Sequence, residues 1–458
     1  MRSMLRCSRG SVAFATVIAL IPIIGFVALG AEAGSWYVTK QQAQNAADAA
    51  AYSGGLRLEC TLVASASGST CVDVQSADYR ARQFAARNAF CDGADSNSQS
   101  YPGTQCPVTL AAGTTRNVNV AVSATQVQVT VSQTQPGYLA NVLGFSSVTI
   151  GAKAVAEVQK LALPCVLTLV DSLVFQGNTT INAPNCGLSS NSTNKSNAIQ
   201  YTGNSVNLTQ VKSVSAVGGC SDTGGSQCTK AITSASSTPN PLSALDTAIA
   251  ALKTTDFPDG VCTVPTGSSP IALPSYGSPK KCYYDLKVSN IQNKDYTLNG
   301  VYFFADGELK IQGNMTSTPT ATLIFLPAKF VGASDKGGTL TITGNPTIQI
   351  TAPSSVTASQ VPTPLATTAT LNMLGGLLIY DPETNSNLKL TGSSTTYFNG
   401  ITYAPNADVT YQGNTTQTAS CNEVIAKGVT LSGSSNFDNS TCPVTNSAAY
   451  THYVRLVQ

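Results

Sequence analysis

Charge is the first thing this sequence lacks. Only 10% of its 458 residues are Asp, Glu, Lys or Arg, against about 25% in ordinary soluble domains. The signs almost cancel, with 25 basic and 23 acidic residues and a net charge of +2. No basic run or stripe is present, which argues against a nucleic-acid partner. Histidine is nearly absent too: His452 stands alone, and no Cys-x-x-Cys pair occurs. Zinc ligation and thioredoxin-like redox chemistry are therefore disfavoured. There is no Gly-x-Ser-x-Gly elbow, no phosphate-binding loop and no His–Glu metal motif, so the common hydrolase, nucleotide and metalloprotease signatures are missing. No cofactor and no enzymatic activity are expected.

What is present in place of charge is Ser, Thr, Asn and Gln, interleaved with alternating Val, Ile and Leu. That alternation argues for β-structure over a disordered stalk. The one long uncharged run is residues 11–31, SVAFATVIALIPIIGFVALGA. At about 1.5 Å per residue it matches the ~30 Å hydrocarbon core of a bilayer. Arg2, Arg6 and Arg9 precede it, Glu32 is the first charge after it, and Trp36 and Tyr37 follow. Basic residues favour the cytoplasmic side and aromatic rings the interface. The expectation is a transmembrane anchor with residues 1–10 in the cytoplasm and the rest outside, in the periplasm or at the surface. A kink is expected at Pro22. The run is longer than the 7–15 residues of a signal-peptide core, although small residues near 30–33 leave a nominal cleavage site.

Cys7 precedes the anchor. The other twelve cysteines follow it: Cys60, Cys71, Cys91, Cys106, Cys165, Cys186, Cys220, Cys228, Cys262, Cys282, Cys421 and Cys442. An even count in an exported region reads as disulfides. Sequence leaves the connectivity open. Neighbour pairing is expected, because each successive pair brackets a plausible loop or turn.

Residues 32–58 are rich in Ala and Gln and read as a helix continuing the anchor, weakened or ended at Gly54 and Gly55. Its thin alanine surface suits either close approach of another helix or a solvated stem. Residues 60–71 read as a loop, and residues 75–90 as a helix with Tyr79, Phe84 and Ala85 on its apolar face. Residues 117–131, NVNVAVSATQVQVTV, alternate strictly and read as strands. A short helix at 136–145 and a strand at 147–158 complete a small α+β module.

The opening Arg9-Gly10-Ser11-Val12-Ala13, the apolar span and the phrase GSWYVTKQQAQNAADAAAYSGG resemble the TadE/TadG-like proteins of Flp (tight adherence) pilus assembly. The most specific part is Gln44-Asn45-Ala46-Ala47-Asp48-Ala49-Ala50-Ala51, and the resemblance runs over roughly residues 8–160. TadE-type pseudopilins carry a Glu shortly after the processed Gly, whereas here Gly10 leads into SVAFAT. The departure favours an uncleaved TadG-like anchor. The resemblance implies a bacterial inner-membrane location and other Tad/Flp assembly components as partners. Some TadG-like proteins also carry a metal-binding Asp-x-Ser-x-Ser motif. The nearest match, Asp438-Asn439-Ser440-Thr441-Cys442, puts a cysteine at the second serine.

Beyond residue 163 a short phrase recurs: an apolar or aromatic residue, one more residue, then Gly-Asn or Gly-Ser. It occurs at Gly177-Asn178, Gly203-Asn204, Gly313-Asn314, Gly344-Asn345, Gly392-Ser393, Gly413-Asn414 and Gly433-Ser434. Spacings near 20–30 residues suggest a parallel β-solenoid (β-helix-like) over residues 163–445, with an antiparallel β-sandwich as the competing fold. Each Gly-Asn pair would turn the chain, with Asn tolerating the left-handed region. Cys165–Cys186 and Cys421–Cys442 would staple rungs near the ends. A disulfide-rich insertion is expected at about 218–299, containing a helix at 239–253 whose Leu242, Leu245, Ile249 and Leu252 share a face. Residues 446–458 read as a tail. The whole is thus mainly β: anchor at 11–31, stem and α+β module at 32–160, then the solenoid.

Function reads as placement in pilus assembly. An adhesin would bind glycan or a surface through exposed aromatics such as Tyr201, Tyr397, Tyr403 and Tyr411. A β-helix glycosidase would need two carboxylates flanking the scissile bond. The pairs Asp256/Asp259, Asp306/Glu308 and Asp381/Glu383 all lie in turn-like sequence, which favours structural roles. His452 is expected to be exposed.

Overall fold

The computed structural model describes residues 8–67, 71–161, 163–203, 205–289, 291, 294–344, 346–384, 387–392, 396–413, 421–433, 436–442 and 452–457. Arg2, Arg6 and Cys7 lie outside these residues, as do Asn204, Asn345, Ser393, Asn414 and Ser434 of the repeated phrase. The chain divides into two compact units, Met1–Gln159 with His452–Gln458, and Lys160–Thr451. It is mainly β, led by one long apolar helix.

That helix, α1 (Ser8–Ser67), runs through Pro22 and through Gly54 and Gly55 without interruption. The two glycines do not end it, and Cys60 lies on the helix instead of in a loop. The reason is packing. Ala43, Ala46, Ala47, Ala50 and Ala51 recur at helical spacing, and all are fully buried. They pack with the antiparallel sheet β1 (Thr115–Val122), β2 (Gln126–Pro136) and β3 (Ser147–Lys160), and with α2 (Ala77–Arg87). The small-residue face therefore meets elements of its own chain. In α2 the buried residues are Ala81, Gln83, Ala85 and Ala86, while Tyr79 and Phe84 are only half-buried.

The sheet supplies the complementary surface. Val127, Val129 and Val131 are buried and pair with Ala156, Ala154 and Ala152 of β3. Each such valine contributes about 1.5–3 kcal/mol by burial. The expected short helix at 136–145 contracts to a single turn at Ala140–Leu143. The C-terminal residues are not a tail: His452–Val457 form the fourth strand, next to β3. Arg455 pairs with Glu157 at 3.6 Å, and the Tyr453 hydroxyl donates to Gln159 at 2.5 Å.

The second unit is built from three parallel ladders. The first runs through 301–305, 321–325, Leu377–Tyr380, 400–404, 422–426, Pro164–Thr168, 187–190 and 213–216. The second includes Asn387–Gly392, 408–412, 429–431, Leu173–Phe175, Ile199–Tyr201 and Cys220–Asp222. The third includes 296–298, 315–317 and Ile348–Thr351, and also Asn436–Asp438, 180–183 and 207–211. Within the first ladder, the earliest and latest strands in the sequence are neighbours, with Val166 opposite Val424. The chain thus enters and leaves in the middle of the ladders.

That topology reverses two expectations. Cys165–Cys186 and Cys421–Cys442 sit beside the central strands, not at the ends. The ends instead carry Cys220–Cys228 and Cys262–Cys282. The segment 218–299 is likewise more than an insertion. Ala231–Ile232 extends the first ladder at one end, and Tyr284–Asp285 joins it at the other. Between them the chain straps the outer face of that ladder. Thr238 bonds Ser189 at 3.1 Å, Asn240 bonds Tyr403 at 2.7 Å, and Phe257 packs edge-on against Phe303. The helix α3 (Ser243–Ala250) lies within this strap, with Leu242, Leu245, Ile249 and Leu252 buried. Because the first ladder is covered on both faces, its strands are continuous apolar runs such as VYFFA.

At the turn glycines, backbones stack. A Cβ at Gly203 would lie 2.2 Å from the Gly177 carbonyl oxygen, and one at Gly177 would lie 2.8 Å from that of Gly433. Gly177, Gly344 and Gly433 take the positive φ themselves, and no Asn does so among the described residues.

Gly54 offers a test of this packing. A Cβ there would lie 2.8 Å from Val127 Cγ1 and 3.1 Å from the Ala77 carbonyl oxygen. Helix propensity favours Gly→Ala by about 1 kcal/mol, and overpacking costs about 1–3 kcal/mol. Gly54→Ala should lower the thermal midpoint of the detergent-solubilised full-length protein. Gly34→Ala, with nothing within 4 Å, should leave it unchanged or raise it.

Candidate functional site

Two places combine unusual chemistry with defined geometry. The first is the start of α1. Ile18, Ile24, Phe26 and Val27 are all more than half exposed, and the helix is long and apolar enough to cross a membrane. Where the apolar run stops, Glu32 turns back on the module. Its carboxylate accepts the backbone N–H groups of Tyr138 at 2.8 Å, Leu139 at 2.9 Å and Ala140 at 3.1 Å. Such charge-assisted bonds are roughly twice as strong as neutral ones. The clip holds a loop bearing the exposed rings of Tyr138 and Phe145 beside the helix, where Tyr37 is also exposed. One turn further on, the Lys40 ammonium donates to the Gly151 carbonyl at 2.5 Å. Glu32 was legible only as the first charge after the apolar run; its partners lie more than 100 residues away.

The motif Gln44-Asn45-Ala46-Ala47-Asp48-Ala49-Ala50 has a direct structural account. Ala46, Ala47 and Ala50 are the buried face. Gln44 Nε2 donates to Asp48 Oδ1 one turn on, at 2.8 Å. Asn45 is exposed and Ala49 half-buried.

The second place is a cavity of about 640 Å³ in the second unit, between the outer face of the first ladder and the strap residues Thr238, Pro241 and Leu242 with α4 (Thr368–Leu374). Its wall is mostly apolar and includes Leu167, Leu242, Met373, Ile401 and Ile425. Glu423 stands in this wall, opposite Ile401 in the ladder register. It forms no hydrogen bond or ion pair among the described residues. It is half-buried in the cavity wall, and desolvation by the surrounding protein raises its carboxyl from the usual 4.5 to about 7. Sequence reasoning passed over Glu423, because a lone carboxylate in a strand gives no spacing signal. Cys421 and Cys442 lie beside it at metal-ligand distance, but their sulfurs are joined in a disulfide and offer no thiolate.

The other expected residues fall elsewhere. All six disulfides join successive cysteines, including Cys60–Cys71 and Cys91–Cys106. Of the carboxylate pairs, Asp256, Asp259, Asp306, Asp381 and Glu383 are engaged structurally. Asp256 accepts the Lys253 N–H at 2.8 Å, and Asp259 that of Lys281 at 2.6 Å. Asp306 pairs with the Lys287 ammonium at 2.6 Å, while Glu308 is exposed. Asp381 accepts the Thr339 hydroxyl at 2.8 Å, and Glu383 the Ala328 N–H at 3.1 Å. Asp335, unnoticed in the sequence, lies beside Asp306. Burial, then its acidic neighbours, raise its carboxyl, and the same causes raise Glu383. Asp438 accepts the Ser440 N–H at 2.8 Å in a tight turn. His452 is not exposed but buried. Tyr201, Tyr403 and Tyr411 are buried too, so they offer no glycan-binding surface; Tyr397 is half-buried.

Residues 10–66, which cover α1 almost from end to end, match the family described as putative Flp pilus-assembly TadE/G-like. This segment is TadE/G-like, as its alanine-rich motif indicated. No curated protein and no solved structure matches the chain.

Glu423 sets a pH dependence. Its folded-state pKa lies above the unfolded value, so the folded state holds the proton more tightly, and stability falls as pH rises from 4.5 to about 7. Glu423→Gln removes that loss. Its stability relative to wild type should climb over this window, reaching roughly 1–3 kcal/mol above pH 7. Denaturant midpoints at several pH values measure it, and a pH-independent difference would contradict the assignment.

Proposed function

We propose that this protein is a non-enzymatic, single-pass component of Flp/Tad pilus assembly or surface adherence, held in the bacterial inner membrane with its N-terminus cytoplasmic. One observation carries the reading: the helix that exposes Val17, Ile18, Ile24, Phe26 and Val27 is the same unbroken helix whose alanines are buried in the module at 43–51. An anchor joined to its module this way fixes the module's position and tilt at the membrane. The arginines before the span and the TadE/G-like match support the orientation and the system.

The clip at Glu32 refines the placement. It holds Tyr138 and Phe145 at the level where the helix leaves the apolar zone. Rings of this kind favour the headgroup region, so the module rests flush on the outer surface of the membrane. We read the parallel ladders of the second unit as a solenoid. In support, the equivalent first-ladder positions Val166, Leu188 and Val214 recur 22 and 26 residues apart. The solenoid presents a weakly charged surface to pilus components or envelope. Engagement of five of the six turn carboxylates by backbone donors, a hydroxyl and a lysine supports a role without catalysis.

Crosslinking in native cells, followed by fractionation, tests the assignment. Recovery in the inner membrane with pilus machinery is expected, whereas recovery alone in shed material would overturn it. The clip has its own readout in nanodiscs. Glu32→Ala should speed amide exchange over residues 137–145 by about tenfold or more, with membrane association retained.

A further inference from the structure

The cavity beside Glu423 is not used by the placement role. Among the described residues that line it, Glu423 is the one ionisable group, with no Lys, Arg, His or second acid. Asn399 and Asn439 in its wall are committed within the protein, accepting the Cys421 N–H at 2.8 Å and donating to the Asn422 carbonyl at 2.8 Å. Asn185 and Asn372 are exposed, at the mouth. The carboxylate of Glu423 therefore faces an apolar space with nothing to neutralise it.

Such a group is costly. A desolvated carboxylate without a partner, even a half-buried one, destabilises the fold, and an apolar residue there would continue the packing of Ile401 and Ile425. The aligned positions nearby on this outer face are apolar, with Ile401 paired to Leu377 and Ile425 to Leu167. An arrangement that gives up stability for an unpaired charge in a concave, mostly apolar site is the pattern of a ligand pocket.

We propose that the cavity binds a small organic cation, an apolar body carrying a protonated amine, with Glu423 as the counter-charge. The charge balance selects this class. An anionic ligand would face the carboxylate with no basic residue to offset it. A neutral one would fill the space and leave the charge unpaired. The volume, about 640 Å³, lies within the usual range for small-molecule sites.

The test uses the full-length protein in nanodiscs, with empty nanodiscs as the partitioning control. Three probes of one shape are titrated by calorimetry: 4-phenylbutylamine, 4-phenylbutanol and 4-phenylbutanoate. Saturable binding of the amine is expected, about tenfold or more tighter than the alcohol, with the acid weakest. Amine affinity should rise between pH 5 and pH 8, as Glu423 ionises. In Glu423→Gln the amine should fall to the level of the alcohol, while unchanged binding of the alcohol reports an intact pocket. If that variant does not fold, the carboxyl carbon of Glu423 in labelled wild-type protein provides the readout, and its titration midpoint should drop on adding the amine. The proposal is overturned if the amine does not saturate, if it binds no better than the alcohol, or if its advantage survives in Glu423→Gln.

Discussion

Contact between an alanine face and a valine face holds the first unit together. Ala43, Ala46, Ala47, Ala50 and Ala51 bring the α1 backbone close to Val127, Val129 and Val131. Gly54 and Gly55 extend that approach, because side chains at those positions would strike Val127 and Val454. Close packing of small residues is intolerant of added volume. The same surface that stabilises the module therefore fixes its register on the helix. Towards its N-terminus the same helix leaves Ile18, Ile24, Phe26 and Val27 exposed, so the apolar stretch and the module share one backbone. The C-terminal strand adds a second tie. Val454 meets the helix at Gly55, and the end of the chain is held by the element near its beginning.

The second unit meets a different constraint. With so few charges, solubility and fold rest on backbone ladders and on hydroxyl and amide side chains. Its first ladder is buried on both faces, which requires a cover. The strap from Ala231 to Tyr284 provides one while carrying the chain from one end of the ladders to the other. Asp246 ties the strap down, accepting the hydroxyls of Tyr403 at 2.7 Å and Tyr380 at 3.1 Å. Inside the ladders, rings stack across neighbouring strands, as Phe175 does on Tyr201 with centroids 4.9 Å apart. Such stacking at equivalent positions adds about 0.5–1.5 kcal/mol per pair beyond burial.

Local pattern was legible; long-range closure was not. The strict alternation at Val127, Val129 and Val131 reads as a strand because its period is two, and the strand is there. The face Leu242, Leu245, Ile249 and Leu252 reads as buried because its period is that of a helix, and it is buried. Gly54 and Gly55 misled, because propensity describes an isolated helix and packing overrode it. Three further features were hidden: the neighbouring earliest and latest strands of the first ladder, the return of His452–Val457 to the first sheet, and the clip from Glu32 to residues 138–140. Each joins residues more than 100 positions apart, and no spacing rule reaches that far. Glu423 was invisible for a related reason, since its significance is the emptiness around it.

The central claim is that one rigid helix carries the span into the module, and a distance along that helix tests it most directly. Spin labels at Val27 in the apolar stretch and Leu56 in the module, both exposed on α1, are separated by 29 residues of helix, about 44 Å. In nanodiscs the account predicts a single narrow distribution centred near that value. A broad distribution, or one centred well below it, would mean a hinge between span and module and would contradict the account.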